Sequence, residues 1–271
     1  MLKKLLKQEF RATARLMLPL YLVTFALALM VRLVLFWSQD PSLSGSTGGQ
    51  TVRVMLIGIS VTGLVIAVVA TFLVALVQAV VRFRNNLLGD EGYVMFTLPV
   101  STHALVWAKL ITSVVWFLGA AVIDALALLA LVINLGMFQE LGRILSELKA
   151  QLTAYYIGNG IAFLVELVLL FVVGCLVMCL NFYTPLAIGH SFARHKLLLS
   201  VAFFFVIQLA MQIVTTVFGL LALPNLWNLN VLSAATAVHT VMWTSILSLV
   251  VYGAVLYGVL LYMLKKRLNL E

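Results

Sequence analysis

Long apolar blocks separated by short polar connectors dominate the order of residues along this chain. A block of about 18 or more apolar residues with few charges is typical of a membrane-spanning helix, because about 20 helical residues cross the hydrocarbon core. The blocks that meet this description are 16–37, 54–81, 104–135, 154–182, 197–223 and 240–264. The pattern therefore predicts an all-α polytopic membrane protein with six transmembrane helices.

The residues before the first block follow a different pattern. Over residues 1–15, apolar side chains recur at helical spacing, and lysines and arginines fill other positions. This pattern is typical of a basic amphipathic helix that lies on the membrane surface, with a plain solvated leader as the alternative. The predicted organisation is thus an interfacial helix at 1–15 and a six-span transmembrane domain at 16–271.

The connectors also differ among themselves. Residues 38–53 are rich in Gly, Ser and Pro and predict a loop, whereas 82–103 is a polar stretch and 138–152 an amphipathic one. Residues 224–239 are mostly apolar but carry asparagines, and as a helix they would cover only about 22 Å. We expect them to form a re-entrant or interfacial hairpin before the last span.

Charge placement sets the predicted orientation. With the N-terminus inside and six spans, most of the 17 lysines and arginines fall on the inner side: Lys3, Lys4, Lys7, Arg11, Arg15, Arg82, Arg84, Lys109, Arg194, Lys196, Lys265, Lys266 and Arg267. Counting 224–239 as a seventh span would place the last three outside, against the positive-inside rule. Both termini are therefore predicted to be cytosolic.

Composition and motifs narrow the function classes. The chain is 64% hydrophobic and 10% charged, with a net charge of +8. Its basic residues lie at the edges of the apolar blocks, which does not favour nucleic-acid binding. It has no phosphate-binding loop of the Walker type and no His-Glu-x-x-His zinc motif. Cys175 and Cys179 match no metal or redox spacing. We expect no catalytic residue, metal or cofactor in this chain.

The stretch between the second and third spans carries the most informative motif. It reads Asp90-Glu91-Gly92-Tyr93, then Leu98-Pro99-Val100-Ser101, and later Trp107-Ala108-Lys109-Leu110. Gly89 is suited to end the preceding helix, and Ser101 to cap the next one. An aromatic knob at the cytosolic face suits a partner's groove, although a loop folded back on the membrane is the alternative.

This motif resembles the corresponding stretch of bacterial ABC transporter permease subunits of the ABC-2 type, and the layout of the whole chain is similar to theirs. The resemblance implies that 86–101 is a coupling helix that docks on a separate cytosolic ATP-binding subunit. It implies contacts from Glu91, Gly92, Tyr93, Phe96, Leu98 and Pro99. It further implies a second permease subunit, identical or not, ATP and Mg held by the partner ATPase, and a bacterial cytoplasmic membrane.

Ionisable residues inside predicted spans are costly and point to function or to pairing. Arg32 and Asp124 both lie well away from the inner ends of their spans, so they could form an ion pair in the outer leaflet. Glu166 is placed mid-span in the fourth block. With Gln208, Gln212 and Thr215, it could line a substrate path, or these groups could form interhelical hydrogen bonds.

These expectations converge on the permease subunit of an exporter for a hydrophobic or amphiphilic compound such as a drug, lipid or peptide. The alternative is an ion-coupled secondary transporter or channel that uses Asp124 and Glu166. No inverted repeat with broken spans is visible to favour that alternative. A non-transporting membrane scaffold is a third possibility.

Overall fold

The structure is a computed structural model in which every regular element is helical over the residues that it describes. These residues are 2–37, 47–89, 91–97, 99–132, 142–143, 146–147, 150, 160–192, 194–227 and 234–266. The helices are α1 (Leu2–Trp37), α2 (Thr47–Phe83), α3 (Glu91–Thr97), α4 (Thr102–Val132), α5 (Gly160–Gly189), α6 (Lys196–Trp227) and α7 (Ala234–Lys266). A π-helical turn, Arg84–Leu88, follows α2 directly.

All of these helices except the short α3 are long and apolar enough to cross a membrane. The described residues therefore confirm the prediction of an all-α chain with six spans. The helices are longer than the apolar blocks, because polar residues at their ends find partners within the helices. The start of α2 at Thr47 corrects the loop predicted over 38–53, since its last residues are helical.

The N-terminal boundary predicted at residue 15 is not seen. Residues 2–37 form one continuous helix, and its buried stripe runs at helical spacing from Glu9 through Thr13 and Met17 to Val31. Nothing in this stripe changes at residue 15, because the same face packs along its whole length. The separate interfacial helix is therefore not shown.

Two other predicted segments fall partly outside the described residues. Most of the amphipathic stretch 138–152 lies there, as do residues 228–233 of the predicted re-entrant hairpin. The rest of that hairpin belongs to neighbouring helices, since α6 continues to Trp227 and α7 begins at Ala234. The re-entrant hairpin is thus not shown as an element of its own.

The chain divides into two compact units, of which one comprises Leu6–Gln78 and Val115–Arg143. Its apolar core contains Ala28, Val31, Leu64 and Ala127, all nearly inaccessible to solvent. A polar cluster supplements this core, because Trp116 Nε1 donates to Thr13 Oγ1 at 2.7 Å and Tyr21 Oη donates to the Trp116 carbonyl. These bonds satisfy polar groups that lipid could not.

The other unit comprises Met1–Leu5, Ala79–Val114 and Ile144–Glu271. Here α5 packs against both α6 and α7. The Tyr252 hydroxyl lies 2.7 Å from Asn181 Oδ1 and 3.0 Å from the Ile207 carbonyl, which connects all three helices. Thr184 donates to the Leu256 carbonyl at 3.3 Å. The polar residues that suggested the end of a span near 182 are thus paired, and α5 continues to Gly189.

Candidate functional site

The polar stretch between α2 and α4 forms a short helix, α3, which carries most of the contacts that the resemblance implies. Tyr93 and Val94 are exposed, at 52% and 65% of their surfaces, whereas Phe96 is only half-buried and Gly92 is buried. Glu91 and Pro99 are exposed, and Leu98 lies outside the described residues. Tyr93 and Val94 are therefore the exposed apolar side chains of α3.

Val94 was missed by the reasoning from sequence. That reasoning selected aromatic residues at one-turn spacing, which placed Tyr93 and Phe96 together. In the helix, Phe96 turns partly inward and Val94 points outward beside Tyr93. Val94 lies about 200° around the helix from the buried Gly92, whereas Phe96 lies about 40° from it, and seven residues alone gave no signal for which face turns inward.

The ends of this segment are fixed by backbone and side-chain bonds. Gly92 N donates to the Gly89 carbonyl at 2.8 Å, where the π-helical turn ends and α3 begins. The Ala104 amide lies 3.3 Å from Ser101 Oγ and 2.9 Å from the Ser101 carbonyl. Gly89 and Ser101 therefore have the roles of helix terminator and N-cap that the sequence predicted.

A stacked aromatic pair anchors the root of the segment. Phe83, the last residue of α2, lies parallel to Tyr183 of α5, with ring centroids 4.0 Å apart and planes 6° from parallel. Both rings are fully buried. The Tyr183 hydroxyl lies 3.3 Å from the Ala79 carbonyl and from Ser113 Oγ. The π-helical turn Arg84–Leu88 and residues 89–90 therefore separate α3 from a buried contact with α5.

Glu166 has a partner that the sequence analysis did not predict. Its Oε1 lies 2.7 Å from Nδ1 of His239, on α7, and the carboxyl group is 5% exposed. Its Oε2 is buried without a hydrogen-bond partner among the described residues. Along the helix axis, Glu166 lies about 9 Å from Gly160, the first described residue of α5, and His239 about 8 Å from Ala234, the first described residue of α7.

A signal for this pair was present in the sequence. His239 directly precedes the last apolar block, and Glu166 is the one charged side chain within the fourth. Two helices that cross in the same direction bring corresponding ends to the same depth. The assignment of His239 to a re-entrant hairpin concealed this match.

The polar stripe on α6 is not brought to Glu166 by any hydrogen bond. Gln208, Gln212 and Thr215 are exposed in the isolated chain. Thr215 donates to backbone carbonyls of its own helix at 3.0 Å, so its hydroxyl is satisfied without a neighbour. The glutamine side chains have no hydrogen bond to a described residue, which leaves two amides on a membrane-facing surface.

In the other unit, Asp124 of α4 is buried and bonds to a residue of α2. Thr71 Oγ1 lies 3.1 Å and 2.9 Å from its two carboxyl oxygens. The same hydroxyl lies 2.7 Å from the Val68 carbonyl. Arg32 belongs to the same unit, and its predicted ion pair with Asp124 stays a prediction.

The described residues contain no cluster of three or more His, Cys, Asp or Glu side chains that could hold a metal ion. The candidate site residues therefore form an exposed surface on α3 and two polar pairs with buried carboxyl groups, Glu166 with His239 and Asp124 with Thr71. Comparison with protein-family models, curated proteins and solved structures finds no match.

Proposed function

We propose that this chain is the membrane-spanning subunit of an exporter that is driven by ATP hydrolysis in a separate subunit. The observation that supports this most is the short helix α3, which exposes Tyr93 and Val94 between two spans and is rooted in the Phe83–Tyr183 stack. Apolar knobs on a charged, polar connector are suited to a partner's groove.

In the mechanism that we propose, motion of α3 is transmitted to the spans through the Phe83–Tyr183 stack. Closure of two ATPase subunits would displace α3, and the π-helical turn would transmit the displacement to α2 and α5. Substrate and nucleotide states would then bias each other reciprocally, as any coupling between two sites requires. The transported compound would be hydrophobic or amphiphilic, and this rests on the resemblance to ABC-2 permeases.

Affinity purification of the full chain from its native membrane tests the docking role. The expected result is a stoichiometric soluble protein with a phosphate loop and ATPase activity, which is lost from the Tyr93→Ala/Val94→Ser variant. Phe192→Ala is the matched control, because Phe192 is also an exposed aromatic residue but lies outside α3. Equal recovery of the ATPase with all three proteins would reject α3 as its dock.

We further propose that a second permease subunit covers the polar stripe of α6. Only 11% of the most apolar stretch of this helix is buried, against 22–33% in the other spans. Amides that lack partners are costly in lipid, and they donate and accept equally well across a pair of helices. Disulfide formation in a Gln212→Cys variant would support this contact. Val217→Cys is the control, because Val217 is exposed on the opposite face of α6, and it should give a monomeric product.

The alternative function is an ion-coupled transporter, and the Glu166–His239 pair is the observation that favours it. A carboxyl group and an imidazole in contact within spans could exchange a proton during transport. In proteoliposomes, transport driven by a pH gradient without ATP, and abolished by Glu166→Gln, would favour this alternative. Transport that requires ATP and the partner subunit would favour the exporter.

A further inference from the structure

A cavity of about 490 Å³ lies where the end of α5, the start of α6 and the π-helical turn after α2 meet. It is lined by Arg84, His190, His195, Lys196, Leu197 and Leu198, and we call it the basic cavity. All six residues belong to the same compact unit. None of them is acidic, so the cavity gathers cationic and imidazole groups without a balancing carboxylate among its lining residues.

Two backbone features build this site. A side chain on Gly189 would collide with Ser200, and its Cβ would lie 2.6 Å from the Lys196 carbonyl, so only glycine allows α5 to end against the first turn of α6. His195 has a φ of 57°, in the left-handed region that non-glycine residues rarely adopt. The tight turn between α5 and α6 therefore holds His190 and Lys196 beside each other.

Arg84 and His190 each leave polar atoms of the basic cavity without a partner among the described residues. The Arg84 side chain has no hydrogen bond or ion pair to a described residue. His190 is 94% buried, since only 6% of its surface is exposed. Its Nδ1 lies 2.8 Å from the Leu186 carbonyl and must donate, because a carbonyl only accepts. Its Nε2 has no partner among the described residues, so this ring nitrogen is left for a ligand.

The surroundings favour an anion that is part of an amphiphile. Leu197 and Leu198 are 53% and 68% exposed directly beside the cations. The cavity also lies at the start of a 32-residue helix, where the helix dipole and unpaired amides attract negative charge. Basic pockets between spans at the membrane surface are suited to lipid headgroups.

We propose that the basic cavity binds the phosphate group of an anionic membrane lipid. Arg84 and Lys196 supply the charges, His190 the buried polar contact, and Leu197 and Leu198 the surface along which an acyl chain lies. The phosphate would join the π-helical turn to the α5–α6 turn, which are separate in sequence. This site does not depend on the proposed transport function.

A binding titration of the purified full-length chain tests the proposal. The probes are dioctanoyl phosphatidylglycerol, dioctanoyl phosphatidylcholine and inorganic phosphate, and the readout is the dissociation constant from the shift in melting temperature. We expect tighter binding of phosphatidylglycerol than of phosphatidylcholine. Arg84→Gln should weaken phosphatidylglycerol binding about fivefold, as loss of roughly 1 kcal/mol per cation predicts.

Arg194→Gln is the matched control, because Arg194 is an exposed arginine of the same turn that does not line the cavity. Arg84→Lys, which keeps the charge, should bind nearly as well as the unaltered chain. A third outcome is that inorganic phosphate binds as tightly as phosphatidylglycerol and is weakened by Arg84→Gln in the same way. That result would retain a phosphate site but overturn the lipid as its ligand.

Two results would overturn the site itself. One is equal affinity of the unaltered chain for phosphatidylglycerol and phosphatidylcholine, a comparison that needs no variant to fold. The other is an Arg84→Gln affinity that matches that of Arg194→Gln, which would show a non-specific surface effect.

Discussion

Asp124 and Glu166 are both buried carboxyl groups within membrane-spanning helices, yet their partners differ in kind. Asp124 faces the hydroxyl of Thr71, which reaches both of its oxygens. Glu166 faces the imidazole of His239 with one oxygen and leaves the other without a described partner. A hydroxyl holds an acid in place, whereas an imidazole can also exchange a proton with it. We therefore interpret Asp124 as a structural residue and Glu166 as the better candidate for a functional one.

The largest effect is expected from removal of the partner of Glu166. His239→Leu leaves a buried carboxyl group with no described partner, so the free energy of unfolding should fall by about 2–3 kcal/mol. Unfolding of the full chain in mixed micelles measures this. The Glu166→Leu/His239→Leu double variant is the control and should recover much of the loss. A double variant worse than either single one would contradict the pairing.

Removal of the partner of Asp124 should have a smaller effect. Thr71→Val keeps the shape of the side chain and removes the hydroxyl, so we expect a loss of about 1–2 kcal/mol in the same assay. Thr71→Ser retains the hydroxyl and should cost less. If Thr71→Val destabilised the chain more than His239→Leu, the order of the two contacts in stability would be wrong.

A double-mutant cycle sharpens the picture of Asp124 further. If Arg32 and Asp124 form an ion pair, Arg32→Ala and Asp124→Ala together should cost less than the sum of the single changes, by about 1 kcal/mol. Additive losses would exclude the pair and leave Thr71 as the partner that holds Asp124.

The smallest expected effect concerns His190. Its neighbours are cations, whereas His239 contacts a carboxyl group. Burial lowers the pKa of His190 from its ordinary value of 6.5, and Arg84 and Lys196 lower it further, while its bond to the Leu186 carbonyl opposes them. Between the lowered pKa and 6.5, the unfolded chain binds more protons than the folded one. Stability should therefore fall as the pH drops below 6.5.

His190→Gln should flatten this part of the pH profile, which thermal melts from pH 7.5 to 5 would measure. His195→Gln is the control, because His195 is exposed in the same turn. The same slope in all three proteins would show that His190 is not its source.

The spans and their number were predictable because burial in lipid imposes long apolar blocks on the sequence itself. The ends of the spans were less predictable. The polar residues Asn181 and Thr184 resemble the end of a span until their partners on α7 are known. Gly89 and Ser101 were found because their roles are local. The Glu166–His239 pair and the basic cavity were not, because each joins residues that are distant in sequence.

The π-helical turn between α2 and α3 holds one residue more than an α-helical turn over the same rise. One residue of an α-helix corresponds to a rotation of about 100°. Deletion of a single residue within Arg84–Leu88 would therefore restore regular winding and leave the direction of the exit toward α3 nearly unchanged. Deletion of a residue within the regular part of α2 would instead rotate that exit by roughly 100°, because no extra residue is there to be absorbed.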